Sequence, residues 1–212
     1  MPTRPVNTLR TKRQEQAAAR REQLVHTAMR LFAERGYRDT SVRDIARAAE
    51  VNEALLYHYF TSKADLFRAV LAEYAPFRAV EAFRTAAAGP AAPRSLHDAL
   101  LAFGRDFLAR LRQHRAFVVA MLTESAHDPE LGAILGEFLR TTGDEMTRLL
   151  AAYQEAGQID PHLPLAAATR MLQGSLLFQF LANALQAPSS PEADDALLGD
   201  LVGVLLAGLQ PR

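Results

Sequence analysis

The sequence predicts an all-α protein, a small N-terminal helical unit followed by a larger helical bundle. Two observations carry this. Apolar residues recur at helical spacing in one segment after another, and no run alternates apolar and polar residues for long enough to make a strand. The breaks between segments hold helix caps, glycine and proline, and no internal repeat is visible.

Residues 1–14 are polar and basic, hold Pro2 and Pro5, and read as a disordered arm. A first helix is expected over 15–35, with Leu24, Ala28, Leu31 and Phe32 at i, i+4, i+7 and i+8, and Gly36 closes it as a left-handed cap. A short second helix places Val42, Ile45, Ala46 and Ala49 on one side, with Ser41 and Asp44 at capping-box spacing. Glu50-Val51-Asn52 forms a turn, and a third short helix runs over 53–60. Ser62 and Asp65 repeat the capping box, and a longer helix starts at Lys63, burying Leu66, Phe67, Val70, Leu71 and Tyr74. Pro76 kinks or ends it, and Gly89–Pro93 is a loop. Further helices are expected at 95–112, 114–126, 129–156, 164–186 and 191–209; Asp128-Pro129 is a cap followed by a first-turn proline, and Gly157 is a stop.

The apolar fraction of 49% is enough for a packed core, and cysteine is absent, which excludes disulfides, thiolate metal sites and thiol nucleophiles. Apolar runs are shorter than a membrane span and the basic N-terminus lacks a signal-like apolar stretch, so a cytoplasmic protein with no membrane partner is expected. Formal net charge is zero, but it is unevenly spread. Residues 1–75 hold 13 Lys and Arg against 9 Asp and Glu; residues 76–212 hold 11 against 15. The first 21 residues carry Arg4, Arg10, Lys12, Arg13, Arg20 and Arg21 against Glu15 alone. Such a local excess suits phosphate contact, and equally a solvated basic tail.

Two short helices joined by a tight turn, over residues 41–60, make a helix-turn-helix. Ile45, Ala46, Ala49 and Val51 bury one face, small Ala46 allows a close helix crossing, and Leu56 and Phe60 pack inward. Asn52, Glu53, Ala54, Tyr57 and His58 are left facing out, at the end that enters a major groove. Tyr57 and Tyr59 are alternatively core aromatics, and His58 plain surface.

This N-terminal stretch resembles the DNA-binding domain of the TetR family of bacterial transcriptional regulators. The resemblance rests on Thr27 through Tyr37, Thr40 through Ala46, Leu56 through Phe60, and Ser62, Lys63 and Leu66. It implies a helix-turn-helix DNA-binding domain over 15–62 and a helical effector-binding and dimerisation domain over 63–212. It further implies that Arg43 meets a base or phosphate, that Thr40 and Ser41 meet phosphate, and that Tyr57 and Lys63 touch the DNA backbone. Asn52, Glu53 and Ala54 occupy the base-reading surface. Three positions depart from the family: Glu50 stands where the turn usually has glycine, which costs about 1 kcal/mol in a left-handed backbone, Leu55 stands where a phosphate-binding threonine is common, and Glu53 cannot meet a phosphate favourably but can accept from a cytosine amino group.

Large apolar residues are spread over the later helices, among them Phe103, Phe107, Phe117, Met121, Phe138, Met171 and Phe178. In the family such helices enclose a pocket, and this lining suits a hydrophobic small molecule. Arg105, His114, His127, Arg170 and Gln173 are candidates to orient it; the alternative is a filled core. The last two helices carry apolar stripes, Leu172, Leu176 and Phe180 on one, Leu201, Val204 and Leu205 on the other. The resemblance implies a four-helix dimer interface built from them, which suits double-stranded DNA carrying a palindromic operator read one helical turn apart, about 34 Å. The expected function is a repressor released by an unidentified hydrophobic effector, with no catalytic residues, no metal and no cofactor. The alternative is an all-helical ligand-binding protein or enzyme without DNA binding; isolated histidines and the lack of a His-x-x-x-His pair weigh against it.

Overall fold

The computed structural model describes residues 7–74, 95–185 and 191–209, and every regular element among them is a helix. In chain order these are α1 (Asn7–Arg35), α2 (Val42–Ala48), α3 (Glu53–Tyr59), α4 (Lys63–Tyr74), α5 (Leu96–Gln113), α6 (Arg115–Ser125), α7 (Pro129–Glu155), α8 (Leu165–Leu185) and α9 (Pro191–Leu209). Pro76 and the Gly89–Pro93 loop lie outside the described residues.

The one substantial correction to the expected boundaries is α1. It begins at Asn7 rather than Glu15, so the expected disordered arm is helical from residue 7. Residues 7–14 contain neither glycine nor proline and include Leu9, Arg10, Lys12, Arg13 and Gln14, all good helix formers, so nothing in them stops a helix.

The local devices are as the residues demand. Gly36 takes φ 83° and Gly157 φ 74°, the left-handed stop after a helix. Ser41 and Asp44 form the capping box reciprocally. Ser62 accepts from the Asp65 amide at 3.0 Å, while the Asp65 carboxylate reaches one residue further back, to the Thr61 amide at 2.9 Å. Asp128 caps α7 by accepting from the Glu130 and Leu131 amides, with Pro129 in the first turn.

Glu50 adopts φ 56°, the left-handed conformation that its place in the turn requires. Glycine reaches this region without a Cβ penalty but loses more freedom on folding. Glu50→Gly is therefore expected to raise stability by about 0.5–1 kcal/mol, read as a higher urea midpoint at unchanged slope. A lower midpoint would show that the Glu50 side chain compensates for its backbone.

Two apolar cores organise the chain. The first gathers Leu24, Phe32, Ile45, Leu56, Phe60 and Phe67, and continues without a break into Phe117 and Met121 of α6 and Leu131 and Ile134 of α7. It runs across position 62/63, where the DNA-binding and effector-binding parts were expected to divide. The second joins α5, the C-terminal half of α7, α8 and α9. In it Gly104 of α5 faces Leu198 of α9; a Cβ on Gly104 would lie 2.5 Å from Leu198 Cδ1. A larger residue at 104 would have to push the end of the Leu198 side chain aside. Val118 of α6 packs against both cores.

Candidate functional site

The outward face of the helix-turn-helix follows from its packing. Ile45, Ala46 and Ala49 of α2 and its exit, with Leu56 and Phe60 of α3 and its end, are buried. Gln23 of α1 donates to the Ala49 carbonyl at 3.2 Å and fixes the end of α2. That leaves Asn52, Glu53, Ala54, Tyr57 and His58 exposed on one side of α3, with Arg43 exposed on α2. Tyr57 is 50% exposed, far too much for a core aromatic, whereas Tyr59 is half-buried against the first core. Arg43 has no ion pair among the described residues, whereas Arg47 approaches Asp44 at 3.9 Å.

Several of these residues hold the fold as well as face outward. Asn52 caps α3, its Oδ1 accepting from the Leu55 amide at 2.7 Å, which leaves its Nδ2 group for other contacts. Ser41 donates its hydroxyl to the Asp44 carboxylate and accepts from the Asp44 amide. The Ser41 hydroxyl, with the Ser41 amide that also donates to this carboxylate at 3.2 Å, holds the Asp44 carboxyl below the usual range. Lys63 is half-buried: its ammonium sits 4.2 Å from the centre of the Tyr37 ring and donates to the Arg38 carbonyl at 3.4 Å. Burial lowers its pKa, opposed by the carboxylates of Glu130, Asp128, Glu124 and Asp39. Burial, with the same Glu130 and Asp128 charges, pushes the Tyr37 phenol up to about 12.

Thr40 does not belong to the exposed face. It is fully buried, and its hydroxyl donates to the Gly36 carbonyl at 2.7 Å and the Leu31 carbonyl at 3.3 Å, closing the end of α1. Its hydroxyl hydrogen is held by backbone carbonyls at the exit of α1, so it is not presented to phosphate.

A cavity of about 460 Å³ lies between the two cores. Leu71 of α4, Phe107 and Leu111 of α5, Phe117 and Met121 of α6, and Leu135 and Phe138 of α7 form its apolar wall. Arg140, Thr147, Thr169, Arg170 and Gln173 add polar groups from α7 and α8. On the outside of α8 and α9, Met171 (64%), Phe178 (73%), Leu197 (50%) and Val204 (76%) are large apolar side chains left in solvent.

Comparison with known proteins fits this architecture. The model of bacterial regulatory proteins of the tetR family matches residues 24–70, and that of the tetracyclin repressor-like C-terminal domain matches residues 90–203, more than half of the chain. The chain belongs to the TetR family. It is a helix-turn-helix transcriptional regulator. Among its relatives, the transcriptional repressor NicS of Pseudomonas putida is 33% identical over 148 residues, 69% of this chain and 66% of that one. The transcriptional regulator UidR of Escherichia coli is 24% identical over 159 residues, 75% of this chain and 79% of that one. In fold, the chain resembles FadR from Bacillus subtilis, solved in complex with stearoyl-CoA, with a TM-score of 0.71 over 89% of this chain and 99% of that one, at 19% identity.

In this TetR-family chain the residues expected in the pocket and at a dimer interface are placed differently from expectation. Phe107, Phe117, Met121 and Phe138 line the cavity; Phe103 is packed in the second core, and Met171 and Phe178 point to solvent. Conversely Leu172, Leu176 and Phe180, expected at the dimer interface, are buried inside the protomer, while Val204 is exposed and Leu201 and Leu205 are half-buried. The cause is helix phase. On α8, 172, 176 and 180 fall on one side and 171 and 178 on nearly the opposite one, and both sides are apolar, so composition alone does not say which faces inward. Of the candidate orienting groups, Arg170 and Gln173 reach the cavity. Arg105 pairs with Asp195 at 3.2 Å, His114 packs edge-on against Tyr74, and His127 meets the Thr123 carbonyl.

Glu124 was not singled out by the sequence. It ends α6 and accepts hydrogen bonds from the Tyr37 amide at 2.8 Å and the Arg38 amide at 3.3 Å. A Cβ on Gly36 would lie 2.3 Å from its Oε1, so glycine there serves both the backbone and this contact. Glu124 and His127 stand at Glu-x-x-His spacing, yet Glu124 is spent on backbone amides, and no metal-binding cluster occurs among the described residues. No described helix is long and apolar enough to cross a membrane.

Proposed function

We propose that the chain is a homodimeric repressor that leaves a two-fold operator when a small, largely apolar molecule fills the cavity. One observation carries this: Phe117 and Met121 of α6, and Leu71 of α4, line the cavity and also belong to the core that holds the helix-turn-helix. A ligand displacing these side chains acts on the reading head directly, because a close-packed core passes on strain rather than absorbing it. Glu124, at the end of α6, ties the same helix to the turn that leads into α2. The exposed apolar residues of α8 and α9 support a dimer, and the repressor name of NicS and the ligand in FadR support the reading by likeness.

On this reading Tyr57 and Lys63 grip the backbone, and Asn52, Glu53 and Ala54 read bases, with Arg43, Ser41 and His58 beside them. Sequences bound by the full-length protein are selected from a random duplex pool, and compounds are then screened for release. Tyr57→Ala is expected to weaken all selected sequences about equally. Glu53→Ala is expected to relax preference at one base position by about 1–3 kcal/mol, the loss of a carboxylate accepting from a cytosine amino group. Uniform weakening from Glu53→Ala would remove it from base reading. Effector binding that releases DNA without altering the distance between the two recognition helices would overturn the proposed mechanism.

A further inference from the structure

Resting on the reading of the cavity as an effector site, we infer that its ligand is an apolar monocarboxylic acid, held by Arg140 and Arg170. The described arginines of the body fall into two groups. Arg105 and Arg110 form ion pairs with Asp195 and Asp106, Arg148 approaches Glu145, Arg115 donates to the Ala184 carbonyl, and Arg112 also has a partner. Arg140 and Arg170 alone among them have no ion pair or hydrogen bond within the described protomer, and both line the cavity.

They come from α7 and α8, the helices that supply all the polar groups of the lining, whereas α4, α5 and α6 contribute only apolar side chains. The Gln173 carboxamide lies on the same α8 face and adds a neutral donor. Asp144 also lines the cavity and forms no ion pair among the described residues, which leaves a net charge of +1. One positive charge matches a monoanion. Guanidinium groups bind carboxylate through paired N–H donors, and such bonds are stronger than neutral ones. The apolar wall takes the rest of the molecule.

The test is calorimetric titration of the full-length protein with decanoate and 6-phenylhexanoate, each beside the matching alcohol, decan-1-ol and 6-phenylhexan-1-ol, and with decyl phosphate. At least one acid is expected to bind 10-fold or more tighter than its alcohol, with the preference shrinking as salt rises. In the Arg140→Gln/Arg170→Gln double variant, acid and alcohol are expected to bind alike. Equal or tighter binding of the alcohols, tighter binding of decyl phosphate than decanoate, a preference that survives in the double variant, or no binding by either acid overturns the inference. Operator release is read in the same samples. Release by the alcohols but not the acids removes the carboxylate and leaves the effector mechanism standing. Acid binding that saturates while the operator stays bound keeps the carboxylate site and removes the release mechanism.

Discussion

Replacing Phe178 and Val204 together by glutamate is expected to leave a folded monomer that no longer holds its operator. Both side chains project from the outer surface of paired helices, at 73% and 76% exposure, with Met171 and Leu197 beside them. Scattered exposed leucines need no explanation, but several large apolar side chains on two helices that pack together mark a surface meant to be covered. Because neither residue lies in a protomer core, charge there leaves the fold intact, and circular dichroism and the thermal midpoint of the monomer report this. Two reading heads on one dimer bind half-sites with an effective concentration that single heads lack; losing the link is expected to weaken operator binding by about 10²- to 10⁴-fold. Sedimentation and fluorescence anisotropy on the same preparation measure both effects. A variant that still sediments as a dimer would move the interface elsewhere.

Phe67→Ala is expected to be the most damaging single truncation in the reading head. Phe67 is fully buried. Its ring lies 5.7 Å from that of Phe32, 5.0 Å from Tyr37 and 6.3 Å from Phe117, so it joins α1, α4 and α6 at one point. Removing a buried phenylalanine costs about 3–5 kcal/mol, against a total stability of about 5–15 kcal/mol for a typical domain. A urea midpoint lowered accordingly, with unchanged slope, is the expected result, and Phe67→Leu recovers most of it. The loss is also expected to reach operator affinity, since the same ring seats α6 against the head. A cost below about 1 kcal/mol would mean that the site collapses to fill the space.

The fold was legible because its boundaries are chemical. Ser41, Ser62, Asp128, Gly36 and Gly157 each mark a helix end by what their side chains or backbones can do, and the structure places helix ends at each. The outward face of α3 was legible for the same reason: Leu56 and Phe60 demand burial, which leaves Glu53 and Tyr57 outside. Tertiary pairing was not. Thr40 looks like a surface hydroxyl until the Gly36 carbonyl is seen beside it. On α8 both sides are apolar, and only the packing of α5, α7 and α9 decides that Leu176 turns in and Phe178 out. Thr142 and Thr169, almost fully buried in otherwise apolar stripes, were the visible sign of a polar cavity wall. Arg140 carried no such sign, because exposed arginines on helices are ordinary.

The core shared by the helix-turn-helix and α6 bears on where inactivating alleles would fall. In a regulator whose reading head folded alone, mutations that derepress the target gene would cluster between α1 and α4. Here Phe117, Met121, Leu131 and Ile134 help seat that head, and Glu124 holds the turn entering α2. A genetic screen for constitutive expression is therefore expected to return a second cluster along α6 and early α7, outside the helix-turn-helix itself.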